Sequence, residues 1–245
     1  MKAMILAAGL ATRLRPLTDN IPKALVRFNG VPLLHRVVNN LLDAGIEQII
    51  VNIHHFPDQV LSFLDSQDYY EGKVVVSDER EQLMDTGGAL IHAGGFLDDG
   101  HAFLVHNVDV YTNLNISKLM EAHAGGNALV TMAVKDRPTS RSLLFNVRME
   151  LVGWRHNEKD EEVILHEDQD IAFAYGNSCI QVIRPEFFKL VETTGPFSLT
   201  KTYLKLARDH IIRGFEHNDD YWYDLGRYSN FRKAEKFFQM NDHFQ

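Results

Sequence analysis

Short apolar runs alternate with amphipathic segments through the first hundred residues of the chain. The runs have the length and composition of strands that are covered on both faces of a sheet, and they lie at residues 3–8, 49–53, 74–76 and 102–105. The segments between them place apolar side chains at helical spacing, and they lie at residues 31–44, 57–65 and 86–97. This alternation of strand and helix predicts an α/β fold with a Rossmann-like, doubly wound and mostly parallel sheet.

The second half of the chain is less regular. Its patterns predict strands at residues 128–134, 142–147 and 171–183. They predict helices at residues 185–193, 198–212 and 228–240. Because no internal repeat and no low-complexity linker divides the sequence, we expect a single domain over residues 1–245.

Composition narrows the class of protein. The net charge of −8 argues against a general nucleic-acid binder, because such a protein needs a broad basic surface. The lone cysteine, Cys179, excludes an internal disulfide and a cysteine-based zinc site, and it predicts a cytoplasmic protein. We expect no membrane association, since no apolar stretch approaches the ~20 residues that span a bilayer. The N-terminal apolar run is also too short for a signal peptide, because Arg13 and Arg15 interrupt it.

A loop rich in small and basic residues follows the first predicted strand. Residues 1–30 hold five basic side chains against one acidic side chain, in a chain that is acidic as a whole. Ala7, Ala8 and Gly9 allow the backbone to approach a ligand closely, and N–H groups of such a loop can bind phosphate. The loop has neither the Gly-Lys-Ser/Thr run of a Walker A sequence nor the three glycines of a dinucleotide fingerprint. The sequence therefore predicts another kind of phosphate site, with Asp109, after the fourth strand, at the same sheet edge.

This loop resembles the signature of a known family. Residues 4–18 read MILAAGLATRLRPLT, and residues 21–26 read IPKALV. Together they resemble the signature of the sugar-1-phosphate nucleotidylyltransferases, which is approximately L-A-A-G-x-G-T-R-L-x-P-L-T followed by P-K-P-L. Ala11 stands where a second glycine is usual, and Ala24 replaces the second proline. The resemblance implies an α/β fold of the nucleotide-diphospho-sugar transferase type.

Further segments extend the resemblance. The family's G-x-P-L, E/D-T-G-G, N-G-D and W-x-D-V/I-G-T segments have counterparts at residues 30–34, 84–90, 107–109 and 222–227. Cys179 falls where the family often has a glycine. The resemblance implies a nucleotide-binding half over residues 1–112 and a sugar-phosphate-binding half over residues 113–245, although residues 135–175 match only weakly.

The resemblance also implies a role for each candidate residue. Arg13 and Lys23 would be catalytic: Arg13 would bind the pyrophosphate leaving group, and Lys23 would bind the α-phosphate and the sugar-phosphate. Asp109 and Asp224 would hold Mg²⁺, which prefers oxygen ligands and shares them with phosphate. The nucleotide would contact Leu6, Ala7, Ala8, Gly9, Thr12, Arg13, Asp85, Gly87 and Gly88.

The sugar-phosphate would contact Lys23, Asn107, Arg141 and Tyr175. Two of these assignments have open alternatives. An aromatic side chain in a strand, such as Tyr175, is more often part of the core. Arg141 belongs with Arg137 and Ser140 to a polar loop after a strand, which fits a contact with the sugar-phosphate and a solvated turn equally well. The segment Thr86-Gly87-Gly88 fits the start of a capped helix as well as a surface for the nucleobase.

As a whole, the resemblance implies an enzyme that makes a nucleoside diphosphate sugar and pyrophosphate from a nucleoside triphosphate and a sugar-1-phosphate, as a monomer or homodimer. The short form, with its Asp-Thr-Gly-Gly segment, most resembles the N-acetylmuramate-1-phosphate uridylyltransferase-like branch. Mannose-1-phosphate guanylyltransferases and glucose-1-phosphate thymidylyl- or uridylyltransferases share the signature and remain alternatives. A non-catalytic regulatory protein that binds nucleotide sugars is an alternative of another class. A glycosyltransferase is a further one, although residues 109–111 do not fit its usual D-x-D segment.

Overall fold

The computed structural model describes residues 1–165 and 170–240. The strands are, in chain order, β1 (Lys2–Leu6), β2 (Arg27–Phe28), β3 (Val31–Pro32), β4 (Gln48–Ile53), β5 (Val74–Asp78), β6 (Phe103–Asn107), β7 (Val110–Thr112), β8 (Val130–Lys135), β9 (Arg141–Phe145), β10 (Leu151–His156), β11 (Glu161–Ile164), β12 (Phe173–Ile183), β13 (Ile212–Glu216) and β14 (Trp222–Asp224). The α-helices are α1 (Leu33–Asp43), α2 (Pro57–Asp65), α3 (Asp85–His92), α4 (Gly94–Leu97), α5 (Ile116–Ala124), α6 (Glu186–Leu190), α7 (Leu199–Leu206) and α8 (Tyr228–Met240). Short 3₁₀ helices cover Thr12–Leu14, Lys23–Leu25 and Asp68–Tyr70. No helix in these described ranges has the length and apolar character needed to cross a membrane.

Four strands of the first half form a parallel sheet in the order β5-β4-β1-β6. The chain moves outward from β1 to β4 and β5, and it then returns to β6 on the other side of β1. This reversal is the doubly wound arrangement, and it places a topological switch point beside β1. The predicted doubly wound α/β fold is therefore confirmed.

Antiparallel strands extend the sheet beyond β6. The long strand β12 runs antiparallel to β6, and β9, β10 and β11 follow on its outer side. On its other edge, β12 pairs with β8 through residues 176–177 and 181–183, and β8 also carries β13 in parallel. The register of β12 against β8 shifts between Asn177 and Gln181, so β12 bends there and serves different neighbours at its two ends.

Alternate residues of β1 face two different layers of helices. Ala3 and Ile5 pack into a core with buried side chains of α1, α2, α5 and α8. Met4 and Leu6 pack into a second core with α3, α4, α6 and α7. Successive side chains of a strand point to opposite faces, so a strand between two helical layers needs an unbroken apolar run. The first strand of the sequence has such a run, and its end is therefore fixed rigidly.

The structure corrects several expected elements. The helix predicted at residues 86–97 is divided into α3 and α4, where Gly94 weakens a continuous helix. The helix predicted at residues 198–212 ends at Leu206, because the chain from Ile212 onward pairs with β8 instead. The sequence patterns did not predict α5, β7, β10, β11, β13 or β14. The strand β11 lies at a sheet edge, where exposed polar residues hide the apolar pattern.

Candidate active site

The ends of β1 and β6 lie side by side at one edge of the sheet. Leu6, the last residue of β1, is in parallel register with Asn107, the last residue of β6. The loop after β1 and the turn that contains Asp109 therefore leave the sheet together, as the sequence predicted. An open cleft of about 570 Å³ adjoins this edge, and Asn107 and Asp109 are among the residues that line it.

The first part of the loop after β1 is held from within the protein. The Oδ1 atom of Asn52 accepts hydrogen bonds from the backbone N–H of Ala7 at 2.6 Å and of Ala8 at 3.2 Å. These two N–H groups are therefore not available to a phosphate. The N–H groups of Gly9 and Leu10 have no acceptor among the described residues, so donors for an anion begin at Gly9. Other contacts of Ala7 and Ala8 with a nucleotide stay a prediction.

The next part of the loop explains one departure from the family signature. Ala11 has a φ of +50°, in the left-handed region that favours glycine. Alanine adopts this conformation at some cost in free energy, and the glycine that is usual at this position in the family avoids that cost. The carbonyl of Ala11 accepts hydrogen bonds from Thr18 Oγ1 and from the N–H of Leu14, which keep the turn in place. Thr12 and Arg13 follow on the exposed side. Arg13 has no ion-pair partner within the described part of the chain, so its guanidinium is available to an anion.

Lys23 joins the loop to the end of β6. It begins a short 3₁₀ helix after Pro22, and its Nζ atom lies 3.0 Å from Oδ2 of Asp109. Both side chains are only 12% exposed, so this ion pair is screened less than one at the surface. A Cβ atom on Gly9 would lie 3.8 Å from the same Nζ atom. The ammonium of Lys23 is therefore beside both the phosphate loop and the carboxylate of Asp109.

Asp109 and Asp224 converge although they are far apart in sequence. Strand β14 pairs with β7, which sets Asp224 opposite Val110, and the N–H of Leu225 donates to the carbonyl of Asp109 at 2.8 Å. A Cβ atom on Gly226 would lie 2.3 Å from Oδ2 of Asp109 and 3.0 Å from Oδ1 of Asp224. Both carboxylates thus border one small space, which only glycine at position 226 leaves open.

This pair of carboxylates fits a hard divalent cation. Mg²⁺ takes one or two carboxylates from a protein and completes its octahedron with water and phosphate oxygens. Within the described ranges, no group of three or more His, Cys, Asp or Glu side chains is placed to hold a metal ion, so a dedicated all-protein site of that composition is not present there. The two carboxylates therefore suit a cation that takes its remaining ligands from a bound phosphate.

Gly226→Ala tests this arrangement. The added methyl group would push the two carboxylates apart. We expect metal-dependent activity to fall about 10²-fold, because a displacement of about 1 Å in an active site has such an effect. Gly95→Ala is the matched control, since nothing lies within 4 Å of the corresponding Cβ position. Turnover and thermal unfolding of both variants would be measured. Normal activity in a folded Gly226→Ala protein would contradict the placement of the metal site.

Arg137 and Trp222 form a wall of the cleft. The guanidinium carbon of Arg137 lies 3.9 Å from the centre of the Trp222 ring, a cation–π contact, and Nη2 donates to the carbonyl of Asn177 at 2.8 Å. The ring is held by its own hydrogen bond from Nε1 to the carbonyl of Ser178 at 3.0 Å. Burial lowers the pKa of Arg137 from its ordinary value, and its Nε atom is buried without a hydrogen-bond partner. Arg137 is therefore a rigid cation with donor capacity left for an anion.

Cys179 lies in the bend of β12 with a φ of +60°. This left-handed conformation accounts for the glycine that is usual at this position in the family. Cys179 lines the cleft together with Asp109 and Arg137, so it lies within the site. Burial raises its pKa to about 12, which keeps it protonated and excludes a nucleophilic thiolate at neutral pH.

The structure does not bring Arg141 or Tyr175 into the lining of the cleft. Arg141 is exposed at the start of β9, opposite His156 of β10. Tyr175 is 7% exposed, stacks on Phe173, and donates its hydroxyl hydrogen to Glu216 at 2.6 Å. Contact of these two residues with a sugar-phosphate stays a prediction. In the same region, the structure offers Arg137 to the cleft instead.

The segment proposed for the nucleobase is packed against a part of the chain near α7. Asp85 is exposed with a φ of +55°, and Thr86 Oγ1 accepts from the N–H of Leu199 at 3.0 Å, so it does not cap its own helix. A Cβ atom on Gly87 would lie 2.2 Å from the ring of Phe197, and one on Gly88 would lie 2.2 Å from the carbonyl of Gly195. The two glycines are thus required by internal packing, and their contact with a base stays a prediction.

Fold and site together are those of an α/β enzyme that acts on nucleotide phosphates. Residues 2–143 match the family described as nucleotidyl transferase. An N-acetylmuramate α-1-phosphate uridylyltransferase of Caulobacter vibrioides is 32% identical over 222 residues, which are 86% of each chain. The chain belongs to the nucleotidyl transferase family, and the resemblance in its sequence is confirmed.

Two further comparisons extend this result. A mannose-1-phosphate guanylyltransferase of Arabidopsis thaliana is 30% identical over 93% of this chain, which spans 62% of that protein's length. A crystal structure from Bacillus anthracis, provisionally assigned as a glucose-1-phosphate thymidylyltransferase and bound to sucrose, has a TM-score of 0.79. It covers 97% of this chain and 94% of its own at 18% identity, so this likeness supports the fold alone.

Several residues of the cleft and its support were missed in the sequence. Arg227 lines the cleft and stands where the family signature has threonine. This difference from the signature is visible in the sequence and could have identified Arg227 as a candidate site residue. Asn230 and Lys233 also line it, one turn apart on the same face of α8. Asn52 lies in a segment that resembles the end of the family's second strand, but its role was not predicted, because a polar residue inside an apolar strand does not reveal its partner.

Proposed function

We propose that this protein transfers a nucleotidyl group from a nucleoside triphosphate to a sugar-1-phosphate and releases pyrophosphate, with Mg²⁺ held by Asp109 and Asp224. The observation that carries the proposal is the convergence of Lys23 with these two carboxylates beside the loop after β1. The relatives that align along most of this chain are named as uridylyl- and guanylyltransferases of sugar phosphates, which supports the same reaction class.

The chemistry requires positioned charge more than a reactive side chain. A phosphate oxygen of the sugar-1-phosphate would attack the α-phosphorus, and the bond from that phosphorus to the bridging oxygen would break as pyrophosphate leaves. No protein nucleophile is needed, so catalysis depends on orientation and positive charge. Lys23 would bind the α-phosphate and the sugar-phosphate, and Arg13 would bind the leaving group. When bound, Mg²⁺ supplies charge neutralisation for the phosphates.

For the substrates, we propose UTP with N-acetylmuramate-1-phosphate or a related sugar. The Caulobacter relative bears that name, which supports the pair. The cleft is also lined by Arg137, Arg227 and Lys233, more cations than one sugar-phosphate group needs. A sugar that carries a carboxylate besides its phosphate would use them, because guanidinium groups bind carboxylates well. Guanylyl transfer to mannose-1-phosphate and thymidylyl or uridylyl transfer to glucose-1-phosphate stay as alternatives within the family.

In this proposal, the nucleotide binds mainly to residues 1–112 and the sugar-phosphate mainly to residues 113–245. Asn107 would contribute to the sugar side, because it lines the cleft at the end of β6. We place the reaction in the cytoplasm, where nucleoside triphosphates are supplied, and expect a monomer or homodimer.

The proposal is tested by pyrophosphate release in the presence of Mg²⁺ across a matrix of nucleoside triphosphates and sugar-1-phosphates. We expect release with UTP and an acidic sugar-1-phosphate, and no release in the Asp109→Asn control. Comparison of N-acetylmuramate-1-phosphate with N-acetylglucosamine-1-phosphate isolates the lactyl group, which carries the carboxylate, because the two sugars differ only there. Tight binding of a nucleotide sugar without release from any pair would overturn the enzymatic proposal and favour a regulatory protein.

A further inference from the structure

A buried chain of hydrogen bonds links the two segments that would hold the nucleoside triphosphate. Asn52, near the end of β4, accepts from the N–H groups of Ala7 and Ala8 through Oδ1. Its Nδ2 atom donates to Oε1 of Glu79 at 2.8 Å. The other carboxylate oxygen of Glu79 accepts from the N–H of Met84 at 3.2 Å. The chain thus runs from the loop after β1 to the residue that precedes α3.

Both side chains of this link are almost fully enclosed. Asn52 and Glu79 are each 3% exposed, and burial raises the pKa of Glu79 although the hydrogen bonds from Asn52 and Met84 oppose that shift. Burial of a carboxyl and an amide is costly unless their polar atoms are paired. Their oxygens and the amide nitrogen are paired here, so neither side chain is free to bind a ligand. Asn52 and Glu79 therefore contact only the protein. Any effect that they have on ligand binding must come from the positions in which they hold the two segments.

The link between Asn52 and Glu79 fixes the backbone orientation of the loop after β1 and of the segment before α3. At one end, it holds the Ala7 and Ala8 amides inward, so that Gly9 provides the first free donor at the sheet edge. At the other end, the N–H of Glu79 donates to Ile53 at the end of β4, and its carboxylate fixes Met84 immediately before the strained backbone of Asp85. A rotation of either segment would break the buried hydrogen bonds that join it to Asn52 or to Glu79.

We propose that Asn52 and Glu79 are positioning residues for the nucleoside triphosphate, because they hold the phosphate loop and the nucleobase segment in one fixed relation. The proposal rests on the proposed function for the identity of the ligand. Triphosphate and base would then be bound as a unit, and a break in the link would loosen both contacts. Affinity for the nucleotide and discrimination between bases would fall together, although no residue beside the base had changed.

Asn146 offers a matched control for this link. Its Oδ1 atom also accepts from two backbone N–H groups, those of Arg148 at 2.9 Å and Glu150 at 3.0 Å, and its Nδ2 atom donates to the Glu150 carboxylate at 3.0 Å. It is similarly buried, at 6% exposure, in the turn after β9 and outside the lining of the cleft. Asn146→Ala therefore removes the same kinds of hydrogen bond without touching either nucleotide segment.

The experiment compares Asn52→Ala, Glu79→Gln and Asn146→Ala with the wild type. We expect Asn52→Ala to raise both the KM and the Kd for UTP about tenfold, as expected for a lost buried hydrogen bond, and to reduce the preference for UTP over CTP. The KM for the sugar-1-phosphate should stay within about twofold, because the link does not reach the sugar side of the cleft. Glu79→Gln should have a smaller effect in the same direction, since its amide oxygen can accept from Asn52 or from Met84 but not from both.

Wild-type UTP affinity and base preference in a folded Asn52→Ala protein would overturn the proposal. An equal rise of the UTP constants in Asn146→Ala would also overturn it, because the effect would then be general destabilisation. If Asn52→Ala does not fold, Glu79→Gln decides by the same measurements, since it keeps the size of the side chain. If the wild type binds UTP but releases no pyrophosphate with any sugar, the proposed function fails, while loss of UTP affinity in Asn52→Ala still supports the positioning role.

Discussion

Asp109→Asn is expected to lower Mg²⁺-dependent pyrophosphate release by about 10³-fold or more, because several kcal/mol of charge stabilisation by a metal would be lost. The substitution keeps the size of the side chain and removes one of the two carboxylates that face the space beside Gly226. It also replaces an acceptor of Lys23, whose Nζ atom lies 3.0 Å from Oδ2, by a group that can present a donor to the ammonium.

A matched control lies at the opposite end of the same strand. Asp99 precedes β6, as Asp109 follows it, and its carboxylate is 3.1 Å from Nζ of Lys2. Asp99→Asn thus breaks an ion pair with a lysine and leaves the candidate site intact. We expect turnover close to the wild-type rate in this variant. Titration of both variants with Mg²⁺ separates weakened metal binding from slower chemistry, and normal turnover and Mg²⁺ dependence in Asp109→Asn would refute the metal assignment.

The sheet edge that carries the site could be predicted from local sequence patterns. The apolar runs at residues 3–8 and 102–105 identified two buried strands, and parallel strands end at a common edge. The convergence of Asp109 and Asp224 could not be found in this way, because β7 and β14 are separated by most of the second half of the chain. Long-range pairing leaves no periodic signal, so the family resemblance was needed to place these two residues together.

The sugar side of the cleft was predicted less well, and the reason lies in β12. Its bend at Cys179, with a φ of +60° and a register shift, breaks the simple alternation of side chains along the strand. Tyr175 therefore turns to Glu216, while Arg137 reaches the cleft over the ring of Trp222. A period of two in the sequence cannot indicate which side chains face a site beyond such a bulge.

The glycine pair in the first turn of α3 shows a second limit of local sequence patterns. The sequence suggested that Gly87 and Gly88 leave space for a nucleobase, and the structure fills the space at their α-carbons with Phe197 and Gly195 of the same chain. A glycine indicates that another group approaches the backbone closely, but it does not indicate whether that group belongs to a ligand or to the protein. Only the fold, which brings the segment before α7 against α3, distinguishes the two.

Lys23→Met is expected to lower the turnover number by about 10²-fold or more, because a preorganised positive charge beside the reacting phosphates would be lost. The side chain of Lys23 is 12% exposed, and its ammonium lies next to Asp109 and close to Gly9 of the phosphate loop. A compact ammonium fits this space, whereas the planar guanidinium of arginine needs a wider one, so we expect little rescue by Lys23→Arg. Arg15→Met is the control, since Arg15 is in the same loop region but pairs with Asp19 at the surface.

Measurement of Mg²⁺ affinity distinguishes two roles for Lys23, which are to organise Asp109 or to place positive charge on the phosphates. In the ligand-free protein, its ammonium is the counter-ion of Asp109, so a metal ion must compete with it for that carboxylate. Removal of the ammonium should leave Mg²⁺ affinity unchanged or stronger while turnover falls, and Mg²⁺ should raise the melting temperature of Lys23→Met more than that of the wild type. A variant with weaker Mg²⁺ binding and unchanged turnover at saturating metal would show that Lys23 only organises Asp109. Full loss of turnover with intact Mg²⁺ binding would place its charge on the phosphates themselves.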